Sequence, residues 1–206
     1  MEVVRNEAKS KEEALEKSLE ELNVRADETF YYFDETEGGL FKSKKYVCVL
    51  TTKYSVKEYI KQFLNELARK MNTKFNIEVM ETEVGFSVIV IGDNSGALIG
   101  KDGRTLNSIQ TVLRQSIKKY GDFDFRVNID ISNYKAKKER NFSYEIKKIC
   151  RDVLKSKVDV KLDPMNSYER RIVHNVVSGF KNLSSESVCV NPNRYTVIKY
   201  IEIEED

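Results

Sequence analysis

Apolar residues recur along this chain with two periods, and the switches between them outline its elements. In residues 1–51, Ser10 followed by Glu13 has the capping-box spacing, in which hydroxyl and carboxylate satisfy orphan amides of a helix's first turn. Ala14, Leu15, Leu19 and Leu22 then fall at helical spacing. Val3-Val4 and residues 29–33 and 46–50 are β-branched or aromatic and predict strands, with Gly38-Gly39 between the last two. This segment predicts a small β-α-β-β unit.

After a junction at residues 51–54, Ser55 and Glu58 repeat the capping-box spacing. Val56, Tyr59, Ile60, Phe63, Leu64, Leu67 and Met71 give the helix one apolar face. Strands follow at 75–80 and 86–91, then a glycine-rich turn at 92–103 and a helix at 104–120 that Gly121 stops. Phe125, Val127, Ile129 and Ile131 alternate with polar residues, the signature of a half-buried strand. The order is α-β-β-α-α-β. A long helix is predicted over 134–155, with Phe142, Ile146, Ile149 and Val153 on one side, and a short strand over 158–162. Asn166 with Glu169 makes a third capping box, opening a helix that ends at Gly179. Closing strands are expected at 188–190 and 194–203, with Asn191-Pro192-Asn193 as turn chemistry between them. The predicted fold class is α+β, in three small domains: 1–51, 52–131 and 132–206, the last an α/β unit.

Composition narrows the function classes. The chain has 206 residues, 40% hydrophobic and 33% charged. No apolar run approaches the roughly 18–20 residues that a membrane-spanning helix needs, which excludes a membrane-embedded protein. Three scattered cysteines, Cys48, Cys150 and Cys189, form neither a disulfide framework nor a CxxC pair, and fit a reducing cytoplasm. The first residues have no apolar core and do not read as a secretory signal. With one histidine and no HExxH, no metal or cofactor is called for. Net charge is only +2, but it is unevenly spread. Residues 1–51 hold 12 acidic and 8 basic side chains, whereas 132–181 hold 6 acidic and 13 basic. Such asymmetry suggests separate jobs, the basic part being either a solvated helix surface or a face for a polyanion.

Two motifs carry candidate chemistry. Five of the nine glycines fall between Gly85 and Gly103. A Walker-type loop would need glycine at 95 and Ser or Thr at 102, where the chain has Ser95 and Asp102. What remains is GxxG, Gly100-Lys101-Asp102-Gly103, opening a helix. Glycines there let a sugar-phosphate backbone approach, helix amides point at phosphate oxygens, and Lys101 and Arg104 add charge. The second motif is Arg170-Arg171-Ile172-Val173-His174. Arg170 and His174 are four apart and share a helix face, which with Arg171, Ser178 and Lys181 predicts a polar, basic strip. Two readings of His174 stay open: a residue satisfied by local hydrogen bonds, or a phosphate contact. Catalysis would need a nucleophile or an orienting carboxylate at local spacing, and none is evident; clustered carboxylates for a nuclease are absent too, so no enzyme is expected.

Placed between two helices of an α-β-β-α-α-β unit, Leu98-Ile99-Gly100-Lys101-Asp102-Gly103-Arg104-Thr105-Leu106 resembles a KH domain of the type II order, whose GXXG loop clamps single-stranded nucleic acid. Arg170-x-x-x-His174 after Asp163-Pro164-Met165-Asn166 resembles the R-three-H domain, associated with single-stranded nucleic acid. The whole chain is similar to the Jag family, the SpoIIIJ-associated or KhpB/EloR proteins. The resemblance implies that bases lie between the GXXG-flanking helices and the adjacent strand, with Ile99 and less directly Leu98 on the floor. Its RNA-binding residues would be Ile99, Gly100, Lys101, Asp102, Gly103 and Arg104, joined by Arg170, Arg171 and His174, with Lys135, Lys137, Lys138 and Arg140 extending the surface. It implies a cytoplasmic binder of single-stranded RNA, a post-transcriptional regulator linked to cell elongation or division, with a KH-only (KhpA-like) partner or a second copy. The alternative is a protein-interaction scaffold, docking a membrane-associated division or insertion factor through residues 1–51. On that division of labour, removing residues 1–51 is expected to leave RNA affinity intact. Asp102 departs from many KH loops, and the Gly38-Gly39-Leu40-Phe41-Lys42-Ser43-Lys44-Lys45 loop matches the family only in part.

Overall fold

The computed structural model describes residues 1–36, 45–92, 95–190 and 192–202. The chain folds as two compact units, Met1–Ser132 and Asn133–Asp206. The Gly38-Gly39 turn, most of the loop that follows it, Asn191 and Ile203 lie outside the described residues.

The first unit opens with strand β1 (Val4–Ala8) and helix α1 (Lys11–Leu22), capped by the Ser10 hydroxyl, which accepts from the Glu13 amide. Strands β2 (Thr29–Thr36) and β3 (Lys45–Thr52) complete an antiparallel sheet ordered β1-β3-β2. The central strand pairs Leu50 with both Val4 and Tyr31. Ala14 of α1 packs with Val4, Ala8, Cys48 and Leu50, and Leu15, Leu19 and Leu22 lie half-buried at the edge of that core.

Helix α2 (Lys53–Lys70) starts earlier than its capping pattern predicts. Thr52 is the N-cap, accepting from the Ser55 amide, while the Ser55 hydroxyl accepts from the Glu2 amide and Glu58 pairs with Lys61. The predicted box is therefore not formed: strand β3 delivers Thr52 straight into the helix, and a cap there satisfies the Ser55 amide, an orphan donor of the first turn. Strands β4 (Asn76–Thr82), β5 (Gly85–Ile91) and β6 (Arg126–Ile131) form the second sheet in that order, β4 antiparallel and β6 parallel to β5. The parallel crossover runs through α3 (Ser95–Ile99) and α4 (Arg104–Lys118). Val88, Val127 and Ile129 of the sheet are buried, as are Val56 and Ile60 of α2 and Leu106 and Leu113 of α4.

Aromatic side chains seam the two sheets of this unit together. Phe30 of β2 lies 4.5 Å from Phe125 and 5.8 Å, edge-on, from the buried Phe86, measured between ring centroids. Tyr32 meets Phe123 edge-on at 5.4 Å, and Arg5 donates to the Tyr120 carbonyl. Aromatic pairs at these distances contribute about 0.5–1.5 kcal/mol each beyond the area they bury. Removing residues 1–51 would therefore uncover Phe86 and Phe125 on the second sheet.

The second unit comprises α5 (Tyr134–Ser156), β7 (Val160–Lys161), α6 (Ser167–Val177), β8 (Leu183–Val188) and β9 (Tyr195–Tyr200). Its sheet is antiparallel in the order β7-β9-β8. The third capping box forms in full: the Asn166 side chain accepts from the Glu169 amide, and the Glu169 carboxylate from the Asn166 amide. Ile146, Cys150 and Val153 of α5 pack with Val173, Val177, Leu183 and Ile198. Strand β8 occupies 183–188 rather than the predicted 188–190, because Cys189 takes a positive φ of 68° and ends it. Its serine-rich stretch has low intrinsic strand preference and is held by pairing with β9.

Burial pushes the thiol pKa of Cys48 and of Cys150 upward, while Cys189 is exposed. The nucleophile is the thiolate, so the two buried cysteines are protected twice over. Ellman's reagent should titrate Cys189 rapidly in the native protein and all three cysteines only after denaturation. Separately, Phe86→Ala should lower the unfolding free energy of the first unit by about 3–5 kcal/mol in chemical denaturation.

Candidate nucleic-acid interface

Helix α3 is a single short turn held at its start by Ser95, whose hydroxyl donates to the Gly92 carbonyl and shares a 2.7 Å hydrogen bond with the Ser132 hydroxyl. It ends where the Gly100 amide donates to the Gly96 carbonyl at 2.9 Å. Gly100 then takes φ 67° and ψ −177°, Asp102 φ 57° and Gly103 φ 82°. Three positive φ values within four residues fold Lys101-Asp102-Gly103 into a tight 3-10 turn. A Cβ at Gly100 would meet Thr105 Oγ1 at 2.1 Å, so this glycine is required by the protein's own packing as well as by its backbone angles. Gly103 is buried and is the N-cap of α4; having no side chain, it leaves that cap to the backbone. Aspartate is one of the few residues that tolerate the left-handed region, which explains Asp102 between the glycines.

The predicted loop residues divide by exposure. Lys101, Asp102 and Arg104 face solvent, Ile99 and Gly100 are half-buried, and Gly103 is covered. Leu98 is only 3% exposed and belongs to the core, so of the two floor candidates Ile99 alone has surface to offer. Alongside, α4 faces the outer edge of β6 and covers its free main-chain groups. The Ile129 amide donates to Gln110 Oε1 at 3.0 Å, and Arg114 donates to the Val127 carbonyl through Nε and a terminal nitrogen, at 3.1 and 2.7 Å. Gln110 and Arg114, four apart on one helix face, tie α4 to β6. Sequence reasoning passed over both; a pair of long polar side chains at helical spacing was the only signal.

In the second unit the predicted strip splits. Arg170 is 9% exposed and donates to the Met165 carbonyl at 2.8 Å. His174 lies one turn on, half-buried, with Nδ1 at 2.6 Å from the Ser185 hydroxyl and Nε2 at 3.0 Å from that of Ser187. Both ring nitrogens are engaged by β8. Arg171, Ser178 and Lys181 face solvent. The expected continuous strip is thus corrected: helix α6 buries Arg170, Val173, His174 and Val177 toward the sheet at i, i+3, i+4 and i+7, and the shared face of Arg170 and His174 is the inner one. Close by in sequence, Arg194 Nε and the Thr196 hydroxyl are buried with no hydrogen-bond partner among the described residues. Lys135, Lys137, Lys138 and Arg140 are exposed on α5. Lys138 approaches Glu169 at 3.6 Å, and Tyr168 donates to Glu139 at 2.8 Å, a bond that raises the Tyr168 pKa and clips α5 to α6.

Comparison with known proteins gives this geometry a family. Residues 57–131 match the family described as KhpA/KhpB, KH domain, and residues 145–200 match the R-three-H domain. The RNA-binding protein KhpB of Clostridium symbiosum is 32% identical over 203 residues, covering 96% of this chain and 91% of its own. The chain belongs to the KhpB family. The RNA-binding protein KhpB of Bacillus subtilis (strain 168) is 30% identical over 196 residues, 92% of this chain and 94% of its own. That of Streptococcus pneumoniae serotype 2 (strain D39 / NCTC 7466) is 27% identical over 161 residues, 66% of this chain and 49% of its own. The KH and R-three-H assignments and the Jag/KhpB resemblance are thereby borne out. In this KhpB-family chain the KH match spans α2 to β6, with the glycine turn between α3 and α4, and the R-three-H match runs from within α5 to the end of β9. Among the described residues no three His, Cys, Asp or Glu side chains come together to hold a metal.

Replacing His174 by alanine removes both bonds to β8 and leaves two hydroxyls half-buried. His174→Ala should destabilise the second unit by about 1–3 kcal/mol, at a net 0.5–1.5 kcal/mol per hydrogen bond, read by denaturant titration. A change under about 0.5 kcal/mol would show that the ring is not structural.

Proposed function

We propose that this protein binds single-stranded RNA, chiefly through the turn at residues 99–104, and acts in the cytoplasm as a post-transcriptional regulator linked to cell elongation or division. The observation that carries the reading is the division of labour within the turn. Gly100 and Gly103 hold a backbone that other residues adopt only under strain, while Lys101 and Arg104 stand exposed at the start of a 15-residue helix that no side chain caps. A strand's phosphates would lie against the turn, beside the positive end of the α4 dipole. Its bases would reach toward Ile99, Gln110 and Arg114. The exposed Arg171 and Lys181, with the basic side chains of α5, would add backbone contacts; Arg170 and His174 would serve by holding α6 on its sheet. Two modest sites on one chain gain from effective concentration, since the second engagement is intramolecular.

The names of the relatives support RNA as the ligand, and the shared KhpA/KhpB family description supports a KH-only partner. We read the chain as three modules, 1–51, 52–131 and 132–206, and as no enzyme. A second reading, a scaffold docking a protein through residues 1–51, is favoured by the acidic excess of that segment.

Lys101→Asp tests the RNA reading without touching either glycine. Binding of a fluorescent single-stranded RNA should weaken about tenfold, ~1.4 kcal/mol, with the melting curve unchanged. Affinity within twofold of the parent chain would overturn the assignment of the turn. Log affinity should also fall linearly with log salt, by about 0.7 for each phosphate neutralised, and Lys101→Asp should shallow that slope.

A further inference from the structure

The acidic segment carries a surface that RNA binding does not use. A groove runs along α1 and the turn after it, floored by Leu15, Leu19 and Val24 and rimmed by Glu12, Glu16 and Glu20. The three floor residues are half-buried, so the α1–sheet core leaves part of each apolar side chain in water. The rim is one face of the helix, at i, i+4 and i+8, and all three carboxylates are exposed and unpaired among the described residues. Its neighbours are spoken for: Glu13 pairs with Lys17, Glu21 accepts from Asn6, and Arg25, at the far end of the groove, is held by Asp27 and Glu28.

This arrangement works against the isolated helix twice. Like charges four residues apart repel along the rim. Glu20 also sits in the last turn, where the helix dipole favours cations and α1 supplies none. Cations laid along the rim relieve both, and an apolar stripe between them fills the floor. Leucines at i and i+4 under a glutamate stripe of the same spacing match a helix carrying its own apolar stripe flanked by Lys or Arg. A nucleic acid has the wrong sign for this face.

We infer that the α1 groove docks a cationic amphipathic helix of a partner protein. The inference rests on the second reading, docking of a protein through residues 1–51, and is independent of the RNA reading, because it uses none of the residues of that site.

The test uses the full chain and a synthetic fluorescent 14-residue peptide with leucine at i, i+3, i+4, i+7 spacing and lysine elsewhere. The peptide should bind, with amide shift changes concentrated on residues 12–28. Glu16→Lys with Glu20→Lys, both at exposed positions, should weaken it about tenfold, as should replacing the peptide's leucines by alanine at constant charge. The double variant should keep the parent's circular dichroism and melting temperature and should not lose RNA affinity. Undiminished binding by either the double variant or the alanine peptide would overturn the inference, the second by showing charge attraction alone. So would self-association of the chain that the double variant abolishes while the peptide fails to bind, which would make a second copy's basic helix the occupant. Loss of RNA binding by Lys101→Asp with the peptide still bound leaves this groove standing, and the reverse pattern removes it while sparing the RNA site.

Discussion

Backbone conformation at a few residues constrains the exposed, charged turn between α3 and α4. Between Ile99 and Arg104 the chain must reverse out of one helix and enter another within a single 3-10 turn, and it does so with positive φ at Gly100, Asp102 and Gly103. For residues with a Cβ that region costs about 1–2 kcal/mol each. At Gly100 the cost is compounded by Thr105, whose hydroxyl fills the space a Cβ would take. The turn is thus set by protein packing before any ligand arrives. A preformed loop loses little conformational entropy on binding.

A second regularity links the two units. On α4 and on α6, side chains of the helix meet main-chain and hydroxyl groups that packing against it would otherwise cover. Gln110 and Arg114 cover the outer edge of β6, Arg170 covers the Met165 carbonyl, and His174 bridges Ser185 and Ser187. An orphaned buried donor or acceptor costs about 1–3 kcal/mol, comparable to a good apolar contact. This explains why the Arg-x-x-x-His spacing is structural geometry first: four residues bring both side chains to the inner face of α6, where each has a main-chain or hydroxyl partner waiting. The basic surface is then left to residues on the outer face and on α5.

The aromatic seam gives the acidic segment a physical tie to the KH sheet. Phe30 and Tyr32 close over Phe86, Phe123 and Phe125, so an element with its own strand order and opposite charge shares a compact unit with the sheet behind the glycine turn. Charge separates what packing joins. The glutamate rim of α1 and the lysine–arginine turn present opposite signs to solvent from one compact unit.

Much of this was readable from residue order. Period-2 and period-3.6 patterns located nearly every element, since burial of one face leaves a periodic trace that no other arrangement mimics. Ser10 and Asn166 announced their helices because a cap is a local hydrogen bond between residues three apart. The GxxG turn and the Arg-x-x-x-His pair were legible as spacing, and the family likeness rested on them. Tertiary structure decided the rest, wherever a group's partner is distant in sequence. Thr52 displaced Ser55 as a cap because Glu2 claims the Ser55 hydroxyl from across the unit. Strand β8 runs through serines that its pairing with β9 and the His174 ring hold in place. Leu98, Arg170 and His174 turned inward, and Gln110 and Arg114 came to face β6, because only the packed sheet fixes which side of a helix is inside.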